Sequence, residues 1–323
     1  MTGLVRKIGT AFLRSASVKT ALLALARVRG HRLVLVYHRL GESLRPDCAI
    51  VPSVPADMFR DHLQALGDVV ELVSLDTLAD DNWYASAGEH RRRPAVAVTF
   101  DDDLPSHVEH ALPALREFGV PAAFFLSGRS LHGLGAYWFQ HLETLLTTYG
   151  APRTASLLGV PDAGAEGLMK ACEGSADLRR RVSERAADLP MPNILQPEAI
   201  AALAAAGMTI GFHTVDHDVL PALDQPALQQ AVSRGREDVA AITGTPVTYF
   251  AYPHGKADTR SEAAVRAAGF RAAFTGVPAP IRAGDDRHRL GRWEPGPLGV
   301  DELLIKLTSR FHGANLRRRI GSR

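Results

Sequence analysis

The chain predicts an α/β fold on a mostly parallel sheet, because short apolar runs alternate with amphipathic stretches and several of those stretches stop at a glycine. The strand-like runs are Leu33–Val36, Val96–Phe100, Ala122–Leu126, Thr209–Phe212, Val247–Ala251 and Arg271–Thr275. Helical stretches lie between them at Pro55–Leu66, His107–Phe118, Pro197–Ala206, Pro226–Ile242 and Arg260–Ala268. The pairs Phe118-Gly119, Ala206-Gly207 and Ala268-Gly269 supply the left-handed residue that ends a helix, and each leads directly into a strand. A length of 323 residues suits one large domain, since α/β barrels run to about 250 residues and more.

In chain order, the first run, Leu33–Val36, ends at Tyr37-His38-Arg39. The second ends at Thr99-Phe100-Asp101-Asp102, the fourth at His213-Thr214-Val215-Asp216-His217, and the fifth at Tyr252-Pro253-His254-Gly255. The chemistry-bearing residues therefore gather at the C-terminal ends of strands, where barrel enzymes build their sites. Taken alone, His213 and His217 are no more than an i, i+4 pair in a chain with 13 histidines, and an ordinary surface or helix-start pair would explain them. Asp102 adds a third ligand of a kind divalent ions accept, leaving positions open for water and substrate. Two adjacent carboxylates at a strand end also need a cation or a partner. One can bind the ion while the other takes a proton.

These motifs, in this order, resemble the polysaccharide deacetylase family, the NodB-homology carbohydrate esterases of family 4. The family's Thr-Phe-Asp-Asp-Gly motif is matched by Thr99 to Asp103, its His-Ser/Thr motif in a shorter variant by His213 to His217, and its Pro-x-Gly turn by Pro253 to Gly255. The likeness runs from about Leu33 to Arg292. It implies a distorted (β/α) barrel with fewer strands than the eight-fold form. Asp102, His213 and His217 would hold a divalent ion, zinc first and cobalt or nickel as alternatives. Asp101 would be the general base, and the His254 backbone N–H would serve the tetrahedral oxyanion.

Departures from the family pattern mark where the resemblance stops. Asp103 stands in place of the motif's glycine and would bring a third negative charge beside the ion. Ala251 stands in place of an arginine that holds the base, which Arg292 or Arg289 could replace. The late Leu-x-His motif that supplies the general acid has no clear counterpart in His288-Arg289-Leu290-Gly291-Arg292. His38 and His288 are the candidates for that acid, each with the alternative of a hydrogen-bonded structural histidine.

Between Gly133 and Pro192 the strand–helix rhythm fails and the chain reads as a helical insertion, with Tyr137 and Trp138 as sugar-stacking aromatics or as anchors of a small subdomain. Residues 1–30 read as a basic amphipathic helix, 31–300 as the barrel with its insertion at about 133–192, and 301–323 as a basic C-terminal tail; Asn82–Arg93 reads as flexible. The net charge of +2 gives no indication of nucleic acid. Locally, Arg6, Lys7, Arg14, Lys19, Arg27 and Arg29 precede the first acidic residue, Glu42, and Arg317-Arg318-Arg319 lie in the tail. Such a helix lies on an anionic membrane or packs across the barrel bottom. No run approaches the roughly 18 apolar residues that span a bilayer. Cys48 and Cys172 form no disulfide framework. The expectation is a cytoplasmic or membrane-peripheral protein, with export as the alternative and the oligomeric state open.

Three functions fit. The first is a metal-dependent hydrolase taking N-acetyl groups from an amino sugar in a surface polysaccharide, such as an exopolysaccharide, or in its lipid-linked precursor. The second is a same-family amidase or deformylase with another substrate. The third is a non-catalytic saccharide-binding relative, against which the retained Asp101, Asp102, His213 and His217 argue.

Overall fold

The computed structural model describes residues 16–28, 30–41, 47–80, 93–161 and 163–312. Residues 1–15, all of the Asn82–Arg93 stretch read as flexible except Arg93, and the 313–323 part of the tail lie outside the described residues.

Seven parallel strands form one curled sheet: β1 (Leu33–Tyr37), β4 (Glu71–Leu72), β5 (Ala95–Asp101), β6 (Ala122–Leu126), β7 (Thr209–Phe212), β8 (Tyr249–Ala251) and β9 (Ala272–Phe274). The main path runs β1-β5-β6-β7-β8-β9, and β4 pairs with the start of β5. A small pair, β2 (Arg39–Leu40) and β3 (Ser53–Val54), stands apart. The sheet's two outer edges meet through the segment after β9. Leu290 bridges to Phe274 and Trp293 to Leu35, with Trp293 N–H donating to the Val34 carbonyl at 2.8 Å. The fold is thus the distorted barrel, closed partly by strand pairing and partly by this crossing segment.

The helices are α1 (Ala16–Val28), α2 (Ala56–Val69), α3 (Leu75–Ala79), α4 (Leu112–Phe118), α5 (Trp138–Leu158), α6 (Gly164–Glu173), α7 (Ala176–Ala186), α8 (Pro197–Ala205), α9 (Gln225–Ser233), α10 (Arg236–Thr243), α11 (Thr259–Ala267) and α12 (Val300–Phe311). A π-turn, His107–Ala111, leads into α4. The helical stretch expected over Pro226–Ile242 is two helices, because Gly235 breaks it at φ 85°. A Cβ on Gly235 would stand 2.6 Å from Val215 Cγ2, so the break lets the backbone come close to the His213–His217 loop.

The principal core lies between the sheet and its helices and includes Leu35, Phe100, Phe124, Phe212 and Phe250. α12 belongs to it: Leu303, Leu307 and Phe311 are fully buried, so residues 300–311 are a packed amphipathic helix where a basic tail was expected. α1 buries Leu23 and Ala26 in the same core, and His312 Nε2 lies 2.9 Å from the Leu22 carbonyl. The described part of the N-terminal helix therefore packs on the barrel. The insertion, α5 to α7, carries its own core of Leu142, Leu145, Leu158, Leu168, Cys172 and Val182.

Candidate active site

The C-terminal rim of the sheet is built from strained turns. Asp102, Thr214, His217 and His254 have φ of 72°, 58°, 52° and 58°, and they are the non-glycine residues with left-handed φ among those described. Each costs about 1–3 kcal/mol and persists only where its surroundings over-determine it. All four follow strand ends at one rim: Asp102 after β5, Thr214 and His217 after β7, and His254 after β8.

The turns bring one ligand atom each from Asp102, His213 and His217 within 4.8 Å of one another, and all three residues are buried. His217 Nε2 is 3.3 Å and His213 Nε2 3.8 Å from Asp102 Oδ1. His213 Nδ1–H donates to the Ala251 carbonyl at 2.8 Å, which leaves the Nε2 lone pair for the cluster. His217 is held by rings: Phe139 at 5.0 Å, Tyr137 at 5.6 Å and His254 at 4.6 Å between centroids.

Asp102 Oδ1 is buried without a hydrogen-bond partner. Burial raises the Asp102 carboxyl to about 7; the neighbouring His38 cation opposes this, and the Asp101 and Asp103 charges add to it. Burial likewise lowers His213 to about 4 and holds His217 well below the usual imidazole range. Two neutral imidazoles face a carboxylate oxygen that no donor meets. This O,N,N set fits a divalent cation such as zinc, cobalt or nickel, which would satisfy that oxygen and favour the ionised carboxylate.

Asp101 is paired instead of orphaned. Arg292 reaches it through both guanidinium nitrogens, Nη1 to Oδ1 at 2.6 Å and Nη2 to Oδ2 at 2.7 Å, with both side chains buried. Burial works to raise this carboxyl, but the Arg292 and His213 charges outweigh it and bring it to about 2. Arg292 thus takes the place of the arginine that Ala251 replaces. Arg289 does not: it is 64% exposed and turns to Glu262.

His38 stands on the turn after β1, 20% exposed, with Nδ1 2.9 Å from Glu294 Oε1. Burial lowers its pKa, yet the Glu294 charge and hydrogen bond, helped by Asp101 and Asp102, carry it up to about 9. His288 does not join the cluster. Its Nε2 lies 2.9 Å from the carbonyl of Phe270, which precedes β9 and so sits at the opposite end of the sheet, and its Nδ1 is 3.7 Å from Asp286. The other expectation for His288, a hydrogen-bonded structural histidine, describes it.

Asp103 also differs from expectation. Its carboxylate accepts from Ser127 N–H at 2.8 Å and Arg129 N–H at 2.9 Å, pinning the loop after β6. Arg129 in turn donates to the Val215 carbonyl at 2.8 Å, inside the His213–His217 loop, and lies over the Tyr137 ring at 4.7 Å. The residue in the glycine's place is therefore a brace for that loop. The left-handed position belongs to Asp102, so glycine's freedom is not needed at 103.

Tyr137 is not an open sugar platform, whereas Trp138 is half-buried beside His254. Tyr137 is 1% exposed, stacks on Phe139 and receives the Asp103 N–H on its hydroxyl. Trp138 is flanked by His254, 6.0 Å away with planes 28° apart, and by the Arg179 guanidinium at 5.9 Å. Both anchor the insertion against the site.

Arg292 and Glu294 share an available signal. Arg292-Trp293-Glu294 alternates across an extended segment, so 292 and 294 fall on one side and Trp293, 5% exposed, on the other. One face serves Asp101 and His38 while the other enters the core.

A family model described as polysaccharide deacetylase matches residues 88–273. A search of curated proteins finds no match. Among solved structures, the Streptococcus pyogenes deacetylase PplD in complex with acetate aligns at TM-score 0.57 and 16% identity, covering 85% of this chain and 97% of that one. IcaB from Ammonifex degensii aligns at 0.56 and 21%, covering 88% and 98%. A de-N-acetylase from Aggregatibacter actinomycetemcomitans aligns at 0.55 and 15%, covering 81% and 94%. At these identities the structural likeness speaks for the fold.

Proposed function

The chain belongs to the polysaccharide deacetylase family, and from that premise we propose that it is a metal-dependent hydrolase removing N-acetyl groups from an amino sugar in a surface polysaccharide or its lipid-linked precursor. The observation that carries the metal dependence is the buried, donor-less Asp102 Oδ1 facing His213 and His217.

In this reading Asp102, His213 and His217 hold the divalent ion. The ion, when bound, supplies a Lewis acid for the amide carbonyl and lowers the pKa of water. Asp101 accepts a proton from the attacking water, and Arg292 fixes its position and keeps it anionic before the step. A carboxylate held this low is a reluctant base, so the step draws on orientation more than on basicity. The His254 N–H, at the strained turn after β8, donates to the oxyanion. His38, protonated below about 9 and held by Glu294, gives a proton to the departing amine nitrogen. Acetate and a free amino sugar leave. The excess of arginine and lysine before Glu42 supports a cytoplasmic or membrane-peripheral location. No helix among the described residues is long and apolar enough to cross a membrane.

The test is to purify the protein without chelator, quantify bound metal, and measure acetate released from N-acetylglucosamine oligomers with and without added Zn²⁺, Co²⁺ or Ni²⁺. Metal with acetate release supports the reading, while absence of bound metal after such additions refutes it. Asp102→Ala and His213→Ala are each expected to lose both metal and turnover; stoichiometric metal in either variant would remove the ligand assignment.

A further inference from the structure

Glu173, the last residue of α6, grips the His254 turn from outside the barrel. Its Oε1 is 3.0 Å from His254 Nδ1 and its Oε2 2.6 Å from Lys256 Nζ, so one carboxylate spans the residues on either side of Gly255. On the barrel side the turn is already packed backbone to backbone. Gly276 N–H donates to the Gly255 carbonyl at 3.0 Å, and a Cβ on Gly255 would stand 2.5 Å from Gly276 N. His254 itself is a non-glycine residue at φ 58°, a conformation that needs outside support.

We propose that Glu173 is a positioning residue: by holding the His254 side chain it fixes the turn whose backbone N–H serves the oxyanion, and so makes the inserted helices part of the catalytic apparatus. For the reaction this rests on the deacetylase reading; the hold on the turn does not. The Lys256 arm alone would count for little, because Lys256 is 48% exposed and such pairs contribute little. The His254 arm differs, because that ring is 6% exposed, lies beside Trp138 and is 4.6 Å from the His217 ring. The His254 hydrogen bond, against partial burial and with help from Lys256, holds Glu173 down at about 2, so it is anionic throughout the working range. An oxyanion donor acts only when it is in place beforehand, and a small displacement removes much of its effect.

The experiment compares wild type, Glu173→Ala and Glu173→Gln at equal metal content. Amide hydrogen exchange at His254–Lys256 is expected to rise about tenfold or more in Glu173→Ala. It should stay within about threefold of wild type in Glu173→Gln, whose amide oxygen still accepts from His254. On acetylated oligomers, Glu173→Ala should lose about 10–100-fold in kcat with KM within about threefold. Its affinity for a methylphosphonamidate analogue of N-acetylglucosamine, a mimic of the tetrahedral anion, should fall by the same factor as kcat. Glu173→Gln should recover both. Unchanged exchange in Glu173→Ala, or a loosened turn with wild-type kcat, overturns the proposal; so does Glu173→Gln behaving like Glu173→Ala. If wild type itself releases no acetate, the deacetylase reading fails, and exchange alone decides whether Glu173 holds the turn. Should Glu173→Ala not fold, Glu173→Leu, which fills similar space and accepts no hydrogen bond from His254, takes its place with the same expected results.

Discussion

Replacing Arg292 with methionine removes the guanidinium that meets both oxygens of Asp101 and leaves a buried carboxylate beside Asp102. The magnitude follows from two directions. The fall of the Asp101 carboxyl from 3.8 to about 2 corresponds to about 2 kcal/mol of net favourable environment for the anion. Removing one partner of a buried pair typically costs more, about 3–5 kcal/mol, because the remaining charge stays desolvated. The assay is urea unfolding of the chelator-treated protein at pH 7 in a double-mutant cycle: Arg292→Met, Asp101→Asn and the two together. Arg292→Met should lose about 3–5 kcal/mol, and the double variant clearly less than the sum of the singles. The pH dependence has a definite sign. A carboxyl depressed in the folded state contributes stability above its unfolded value of 3.8, and the contribution disappears as pH falls through about 2. In Arg292→Met the same buried carboxyl, without its guanidinium, is raised, so the gap between wild type and variant should be widest near neutrality and narrow as pH falls through the variant's raised value towards about 2. A cost under about 1 kcal/mol, or strict additivity in the cycle, would refute the claim that this pair is a coupled buried unit.

Asp101→Asn should keep its metal and lose at least about 10²-fold in turnover; normal turnover would show that another group accepts the proton. The His38 pKa is raised to about 9 by Glu294, so its share of stability is present below 6.5 and lost as pH rises through 9. Glu294→Gln should move the alkaline limb of kcat/KM to lower pH, and an unmoved limb would dismiss His38 as the acid. Asp103→Gly restores the family residue but strips the acceptor from one buried and one part-buried N–H, with an expected loss of about 1–3 kcal/mol in thermal or urea unfolding. Equal stability would mean that the loop does not depend on the brace.

Periodicity made most of the scaffold legible. Expected strands such as Ala122–Leu126 and Thr209–Phe212 coincide with β6 and β7, because apolar runs buried on both faces leave few alternatives. β4 and α3 were too short to register against the pattern around them. α12 was hidden for a different reason: Val300, Leu303, Leu304, Leu307 and Phe311 follow helical spacing, but the arginines beyond them led to the expectation of a tail. At the site, the motif residues were visible because each follows a strand end. Their supports were not, since Glu173, Glu294 and Arg129 act over distances in sequence that no local pattern records. Choosing between Arg289 and Arg292 needed the knowledge that the second lies in the segment closing the sheet between β9 and β1. Tyr137 shows the limit of residue type as a guide, because an aromatic beside such a site can equally be a wall of the ligand cage.

The Arg292–Asp101 pair joins residues 191 positions apart, and this sets an order of events during synthesis. A growing chain that has emerged through His217 already contains both aspartates and both imidazoles of the buried cluster, yet Asp101 lacks the guanidinium that pairs with it. Neither the closing segment nor the packed helix α12 then exists to bring one. Domains generally fold as units once their parts are available. Between the emergence of Gly255 and that of Arg292 the nascent protein therefore carries all its motifs without this pair, and a fragment ending before Arg292 would show the family signature in full while lacking the cation that holds Asp101.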